Sequence, residues 1–204
     1  MISFVYFDVG GVVVQDFSGT NEWTNMTRDM GISPENHQRF IEFWSEHESE
    51  VCMGRNVEEL IPLINKEFNI KLPDDYSFLK DFVSRFKRNE TIWPVLNKIK
   101  KQNKIGLLTN MFPGLLEAIY EHNLMPSIKW DVVIDSTVVG FQKPDRKIFE
   151  IAEQTARTKK DEILFVENVD KNVLAAKDFG WQTFFYDSEN MQDSSNKLAD
   201  FFGS

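Results

Sequence analysis

Phe4-Val5-Tyr6-Phe7-Asp8-Val9-Gly10-Gly11-Val12-Val13 is the stretch on which the fold turns. Val5 to Phe7 form a short apolar run of strong β-formers, and Asp8, Gly10 and Gly11 follow at once. The pattern predicts a buried strand that ends in a glycine-rich turn. A carboxylate held at a strand tip and flanked by glycine can be approached closely by a ligand and its metal. An Asp so placed can also attack phosphorus and carry the phosphoryl group as an aspartyl phosphate. An Asp in an ordinary β-turn reads the same way, so this segment alone decides nothing about chemistry.

Further along the chain the same pattern returns. Ile105 to Leu108 precede Thr109, Val132 to Ile134 precede Asp135, and Ile163 to Val166 precede Glu167. Thr183 to Tyr186 precede Asp187. Helical periodicities separate these runs at Thr91–Gln102, Pro113–His122, Pro144–Ala156 and Asp170–Phe179, with Pro144 expected in a first turn and Gly180 just past an end. Strands alternating with helices predict an α/β fold, a Rossmann-like parallel sheet with helices on both faces. Ligands bind such sheets at the carboxyl ends of the strands, where Asp8, Thr109 and Glu167 all fall.

The alternation breaks between Phe17 and Arg88. Pro34–Ser49, Val57–Phe68 and Tyr76–Phe86 carry helical patterns and no convincing strand, so an all-helical cap is expected between the first and second strands. Residues 1–16 and 89–204 are then the core and 17–88 the cap, with short hinges near Gln15–Thr20 and Lys87–Thr91.

The 204 residues, 42 % of them hydrophobic, suffice for a real core. A net charge of −9 argues against nucleic acid or an anionic membrane surface as partner, since both need a basic face. Cys52 is the only cysteine, which excludes an intrachain disulfide and a cysteine zinc cluster and suits a reducing cytoplasm. It reads as a small buried hydrophobe. Ile2 to Phe7 have no basic region before them and are too short to span a bilayer. His37, His47 and His122 show no ligand spacing, and Trp23, Phe40, Phe43 and Trp44 read as cap core rather than a substrate box.

Three more segments carry chemistry. Thr109-Asn110 offers a hydroxyl and an amide for phosphate oxygens, Lys143 stands just before a helix, and Glu167-Asn168 offers oxygens that suit Mg²⁺. Each has a bland alternative: loop chemistry, a solvated lysine, and, for Asp170 nearby, a helix-capping or first-turn acid. Together, in this order and each at a strand tip, they resemble the four motifs of the haloacid dehalogenase (HAD) superfamily. Phe7 to Val13 resemble the first motif and Leu107 to Asn110 the second. Lys143-Pro144-Asp145 with Ile148-Phe149 resembles the third, and Phe165 to Asn172 with Ala175-Ala176 and Gly180 the fourth. The resemblance spans nearly the whole chain. Glu50, Gly54 and Val57 to Leu60 resemble a recurrent stretch of the helical cap of one subclass, and the α-glucose-1-phosphatase-like and epoxide hydrolase N-terminal phosphatase branches look nearest.

That resemblance implies Asp8 as nucleophile and metal ligand and Lys143 as the group that orients it and balances its charge. It implies the Gly10 carbonyl, Glu167 and Asn168, directly or through water, as further Mg²⁺ ligands. Thr109, Asn110 and Gly11 would bind the phosphoryl group. The chain departs from the family at Gly10, where a second Asp usually serves as general acid and base, and at Glu167 and Asn168, where two Asp are usual. The expectation is a Mg²⁺-dependent phosphatase of a small phosphorylated metabolite, cytoplasmic, monomeric or homodimeric. A 2-haloacid dehalogenase and a noncatalytic binding or regulatory protein are the rivals. Asp8 and Glu167 should repel unless a cation lies between them.

Overall fold

The computed structural model describes residues 1–203. In chain order it runs β1 (Phe4–Phe7), β2 (Val14–Gln15), α1 (Glu22–Asp29), α2 (His37–Cys52), α3 (Ile61–Phe68), α4 (Phe78–Ser84) and β3 (Lys87–Arg88). There follow α5 (Trp93–Lys100), β4 (Lys104–Thr109), α6 (Leu115–Glu121), β5 (Val132–Asp135), α7 (Ser136–Val139) and α8 (Arg146–Ala156). The chain closes with β6 (Ile163–Glu167), α9 (Asp170–Phe179), β7 (Gln182–Phe185) and α10 (Met191–Phe201).

Five strands form one parallel sheet in the order β5-β4-β1-β6-β7. The chain leaves β1 for β4 and β5 on one side and then crosses to β6 and β7 on the other. The tip of β1 is therefore the switch point, where a crevice opens at the carboxyl ends. Register aligns Phe7 with both Leu107 and Val166, so Asp8 emerges between the ends of β4 and β6. All four residues of β1 are buried, because helices cover both faces. Val5 and Phe7 belong to the core shared with α5, α6 and the cap, while Phe4 and Tyr6 face the core under α8 and α9. Tyr6 Oη donates to the Ala152 carbonyl at 2.8 Å and ties β1 to α8.

The helical cap, α1 to α4, is inserted between β1 and β4, as the broken alternation predicts. Its entry and exit are not loose hinges. Val14 pairs with Arg88 and Gln15 with Lys87, antiparallel, so a two-stranded ribbon joins cap to core. Strand β3 therefore lies at the end of a stretch that shows no strand signal in sequence. Buried Asn89 locks the ribbon from below, its Nδ2 donating to the Val12 carbonyl at 2.6 Å and to Tyr186 Oη at 2.9 Å.

Helix starts differ from the sequence expectation for local reasons. Helix α8 begins at Arg146 and not at Pro144, because the Asp145 side chain caps it by accepting from the Lys147 N–H at 2.8 Å. Helix α6 begins after Gly114, whose φ of 83° no helix continues. Pro34 to Asn36 and Val57 to Leu60 are 3₁₀ turns that lead into α2 and α3. Helices α1 and α10 hold few apolar residues and escape a periodicity reading; α1 buries only Met26 and Thr27. Asp170 opens α9 as a first-turn acid, and Gly180 closes it at φ 105°.

Candidate functional site

Asp8 follows the last residue of β1, and its N–H donates to the Val166 carbonyl at 3.0 Å. The residue is only 8 % exposed. Its Oδ1 accepts from the Val9 N–H at 2.8 Å and lies 2.9 Å from Lys143 Nζ. Both partners hold Oδ1, which leaves Oδ2 as the oxygen able to attack.

Lys143 is buried, and its Nζ also donates to Glu167 Oε2 at 2.6 Å. A cation does lie between Asp8 and Glu167, and it is Lys143. Burial opposes the ammonium charge, but Asp8 and Glu167 outweigh it and hold the Lys143 pKa above its ordinary value. Burial and the Asp8 charge push the Glu167 carboxyl above the usual carboxylate range, against the pull of Lys143. Glu167 Oε1 accepts from the Asn168 and Val169 N–H groups, each at 3.0 Å.

Asn110 uses its side chain on the Lys143 backbone. Its Nδ2 donates to the Lys143 carbonyl at 2.9 Å and its Oδ1 accepts from the Lys143 N–H at 2.8 Å. It fixes the lysine in place. Thr109 Oγ1 is buried without a hydrogen-bond partner among the described residues, and an orphaned hydroxyl at a strand tip needs an explanation such as a ligand oxygen. The Gly11 N–H is engaged by the Val14 carbonyl at 2.8 Å, and its own carbonyl accepts from Ser188 Oγ at 2.8 Å. At φ 74° a Cβ there would lie 2.2 Å from Asn168 Nδ2, so Gly11 gives room to Asn168.

The oxygens converge beside Asp8. With its nitrogen inward, the Asn168 amide donates to Glu167 Oε1 at 3.0 Å and to the Gly10 carbonyl at 3.1 Å, while its oxygen accepts from Ser18 Oγ at 3.2 Å. Two oxygens thus face one point already held by a positively polarised group. Asp8, the Gly10 carbonyl and Glu167 supply oxygens there, and Asn168 would add its own to a cation by turning its amide over, a donor set whose chemistry suits Mg²⁺. Among the described residues no three His, Cys, Asp or Glu side chains gather as a metal cluster. A set with two carboxylates, a carbonyl and an amide is nonetheless ordinary for a metal that keeps several waters.

Two cavities open over these residues. One, of about 410 Å³, is bounded by Asp8, Lys143, Glu48, Ser49, Lys171 and Asn172. Asn172 Oδ1 is buried and has no hydrogen-bond partner among the described residues, and nothing in the sequence singles it out. The other, of about 420 Å³, lies between cap and core and is walled by Trp23, Trp44, Phe82, Phe86 and Phe112 beside Gly10 and Asp16. Of the four cap aromatics read as core, Phe40 and Phe43 are core, while Trp23 and Trp44 also line this chamber.

Asp16 was passed over in the sequence. It follows β2, and its Oδ1 accepts from the Ser18 N–H at 2.8 Å. It is half-buried and lines the chamber. Burial pushes its carboxyl up to about 6, and the nearby Asp8 charge adds to that, against the Ser18 hydrogen bonds. Nothing local in the sequence marks it, because five residues of turn and strand separate it from Gly10.

A sequence profile of the haloacid dehalogenase-like hydrolases matches residues 2–180. No curated protein matches. Among solved structures, a predicted HAD-like family hydrolase from Porphyromonas gingivalis superposes with a TM-score of 0.75 at 20 % identity, over 97 % of this chain and 98 % of that one. A HAD family enzyme from Bacteroides thetaiotaomicron, as an aspartate-to-alanine mutant in complex with magnesium and inorganic phosphate, gives 0.72 at 16 % identity, over 92 % and 95 %. An L-2-haloacid dehalogenase from Xanthobacter autotrophicus with chloropropionic acid covalently bound gives 0.61 at 19 % identity, over 90 % and 76 %. At these identities the structural likeness is one of fold.

Proposed function

The chain belongs to the haloacid dehalogenase-like hydrolases, and from that premise we propose that it is a Mg²⁺-dependent phosphatase of a small organic phosphate. The observation that carries the reading is Asp8 held at a strand tip by Lys143, which also holds Glu167, next to the unpartnered Thr109 hydroxyl. Asp8 Oδ2 attacks phosphorus in line and the ester oxygen departs, leaving an aspartyl phosphate that water hydrolyses. Lys143 holds Asp8 Oδ1, so the free oxygen keeps its aim, and its charge offsets part of that of the two carboxylates. Thr109 Oγ1 donates to a phosphoryl oxygen. When bound, the metal supplies charge neutralisation for the phosphoryl oxygens, held by Asp8, the Gly10 carbonyl, Glu167 and Asn168. The aromatic chamber beside the site favours a leaving group with an apolar or aromatic body.

The test is hydrolysis of a phosphate-ester panel with Mg²⁺, with EDTA, and with Asp8→Asn. Activity should vanish in EDTA, return with Mg²⁺, and fall by several orders of magnitude in Asp8→Asn. The second reading is a 2-haloacid dehalogenase, favoured by Lys143 already bridging Asp8 and Glu167 without a metal. Chloride release from 2-chloropropionate, undiminished by EDTA and without any phosphate hydrolysis, would establish that reading and end the first.

A further inference from the structure

We propose that Asp16 is the catalytic acid and base of this enzyme, delivering from the end of β2 the carboxylate that position 10 lacks. The proposal rests on the phosphatase reading above. Gly10 does not adopt the left-handed backbone that excludes a side chain. A Cβ built on it meets Asp16 Oδ2 at 2.4 Å, Asp16 Cγ at 3.1 Å and Asp16 Cβ at 3.7 Å as its three nearest neighbours. The obstacle to a side chain at position 10 is thus the carboxylate of Asp16. Glycine at position 10 and aspartate at position 16 are two halves of one arrangement: the first clears the room that the second fills. Gly11 differs, since its φ of 74° and its contacts with Asn168 and Ser188 forbid a side chain altogether.

Asp16 is held there. The β2–β3 pairing and the Gly10–Val14 bridge fix the backbone on either side of the turn. The Ser18 N–H holds Oδ1, which leaves Oδ2, the oxygen nearest the built Cβ, for a proton. Asp16 and Gly10 both border the aromatic chamber, on the side where a leaving group would lie.

In the first step Asp8 Oδ2 bonds to phosphorus and the phosphorus–oxygen ester bond breaks. The electron pair goes to the ester oxygen, which takes the Asp16 proton and leaves as the alcohol. In the second, Asp16 takes a proton from water as the water oxygen bonds to phosphorus. The Asp8–phosphorus bond breaks, its electron pair returns to the Asp8 carboxylate, and Asp16 ends protonated as it began.

The experiment compares wild type, Asp16→Asn, Asp16→Ala, Glu48→Gln and the pair Gly10→Asp/Asp16→Ala on aryl and alkyl phosphates of rising leaving-group pKa, with Mg²⁺. A placed acid is worth roughly 10²–10⁴-fold where the leaving group is poor. Asp16→Asn should therefore lose about 10²-fold or more in kcat/KM on phenyl or alkyl phosphate, and about tenfold or less on p-nitrophenyl phosphate. Loss of the base should let the aspartyl phosphate accumulate, visible as added mass on acid-quenched protein. The paired variant restores a carboxylate to the same space and should recover at least about tenfold over Asp16→Ala on phenyl phosphate. A wild-type slope in Asp16→Asn overturns the proposal and leaves the phosphatase reading standing. So does a paired variant that melts like wild type yet recovers nothing, or a steepened slope in Glu48→Gln instead. A wild-type protein that hydrolyses no phosphate ester overturns the phosphatase reading, and this proposal with it.

Discussion

Lys143 carries an ammonium group into a place almost closed to water, 2.9 Å from one carboxylate and 2.6 Å from another. Removing one member of such a group leaves buried charge uncompensated, at a cost of about 3–5 kcal/mol. Lys143→Met should lose about that much in urea denaturation with EDTA present. Adding Glu167→Gln should recover part of the loss, because one of the two facing charges is then gone. A Lys143→Met protein as stable as wild type would mean that the carboxylates are already neutral there. At this scale the sequence is legible wherever a residue type announces its chemistry at a strand tip. Asp8, Lys143 and Glu167 are drawn together as the motif order implies. Asn110 shows the limit, because an amide beside a phosphate site and an amide clamping the Lys143 backbone look alike in sequence. Asp16 lies beyond that limit, since the turn closed by the Gly10–Val14 bridge brings it to Gly10.

Helix α4 shows how the cap holds its shape from one element to the next. Its N-terminus is received by Glu58, twenty residues earlier, in the 3₁₀ turn before α3. Ser77 Oγ donates to Glu58 Oε1 at 2.6 Å, the Phe78 N–H to Oε2 at 2.9 Å and the Leu79 N–H to Oε1 at 3.1 Å. A carboxylate there satisfies otherwise orphaned amides and meets the positive end of the helix. Because α4 brings Phe82 to the chamber wall, this cap also positions part of that wall. Glu58→Ala should destabilise the protein by about 1–3 kcal/mol in thermal melts, with Glu58→Gln losing less. It should also raise KM for an aromatic phosphate more than for a small alkyl one. An unchanged melting curve would show that α4 is held by its aromatic packing alone. The apolar faces of α2 to α4 are readable as periodicity, and these helices form. The capping is not, because it joins Glu58 to Ser77 across space, and α1 hides because little of it is buried.

For the molecule as a whole, alternating strands and helices dictate a parallel sheet, and the strand tips name the face where chemistry occurs. Strand order is a different matter: no residue in β6 records that it will pair with β1 on the side away from β4. The cap closes over that face, and Cys52 reports how firmly. It ends α2, is 3 % exposed, and borders the chamber together with core residues Met111 and Leu115. Burial, helped by the Glu48 charge, pushes its thiol up to about 12. An unfolded cysteine titrates near about 8.5. The folded pKa is the higher one, so this thiol's contribution to stability is complete below about pH 8.5 and is lost as pH rises toward 12. At pH 8 the folded protein holds almost no thiolate, and the thiolate is the reactive form. Alkylation at pH 8 must therefore wait for the cap to part from the core. The labelling rate then measures that opening, with the thiol of the urea-unfolded chain as the fast reference. Orthovanadate with Mg²⁺, mimicking a phosphoryl group on Asp8, should slow labelling further by holding both layers to one ligand. Labelling of the folded protein at the unfolded rate would show that cap and core part freely, leaving the aromatic chamber too open to select a leaving group.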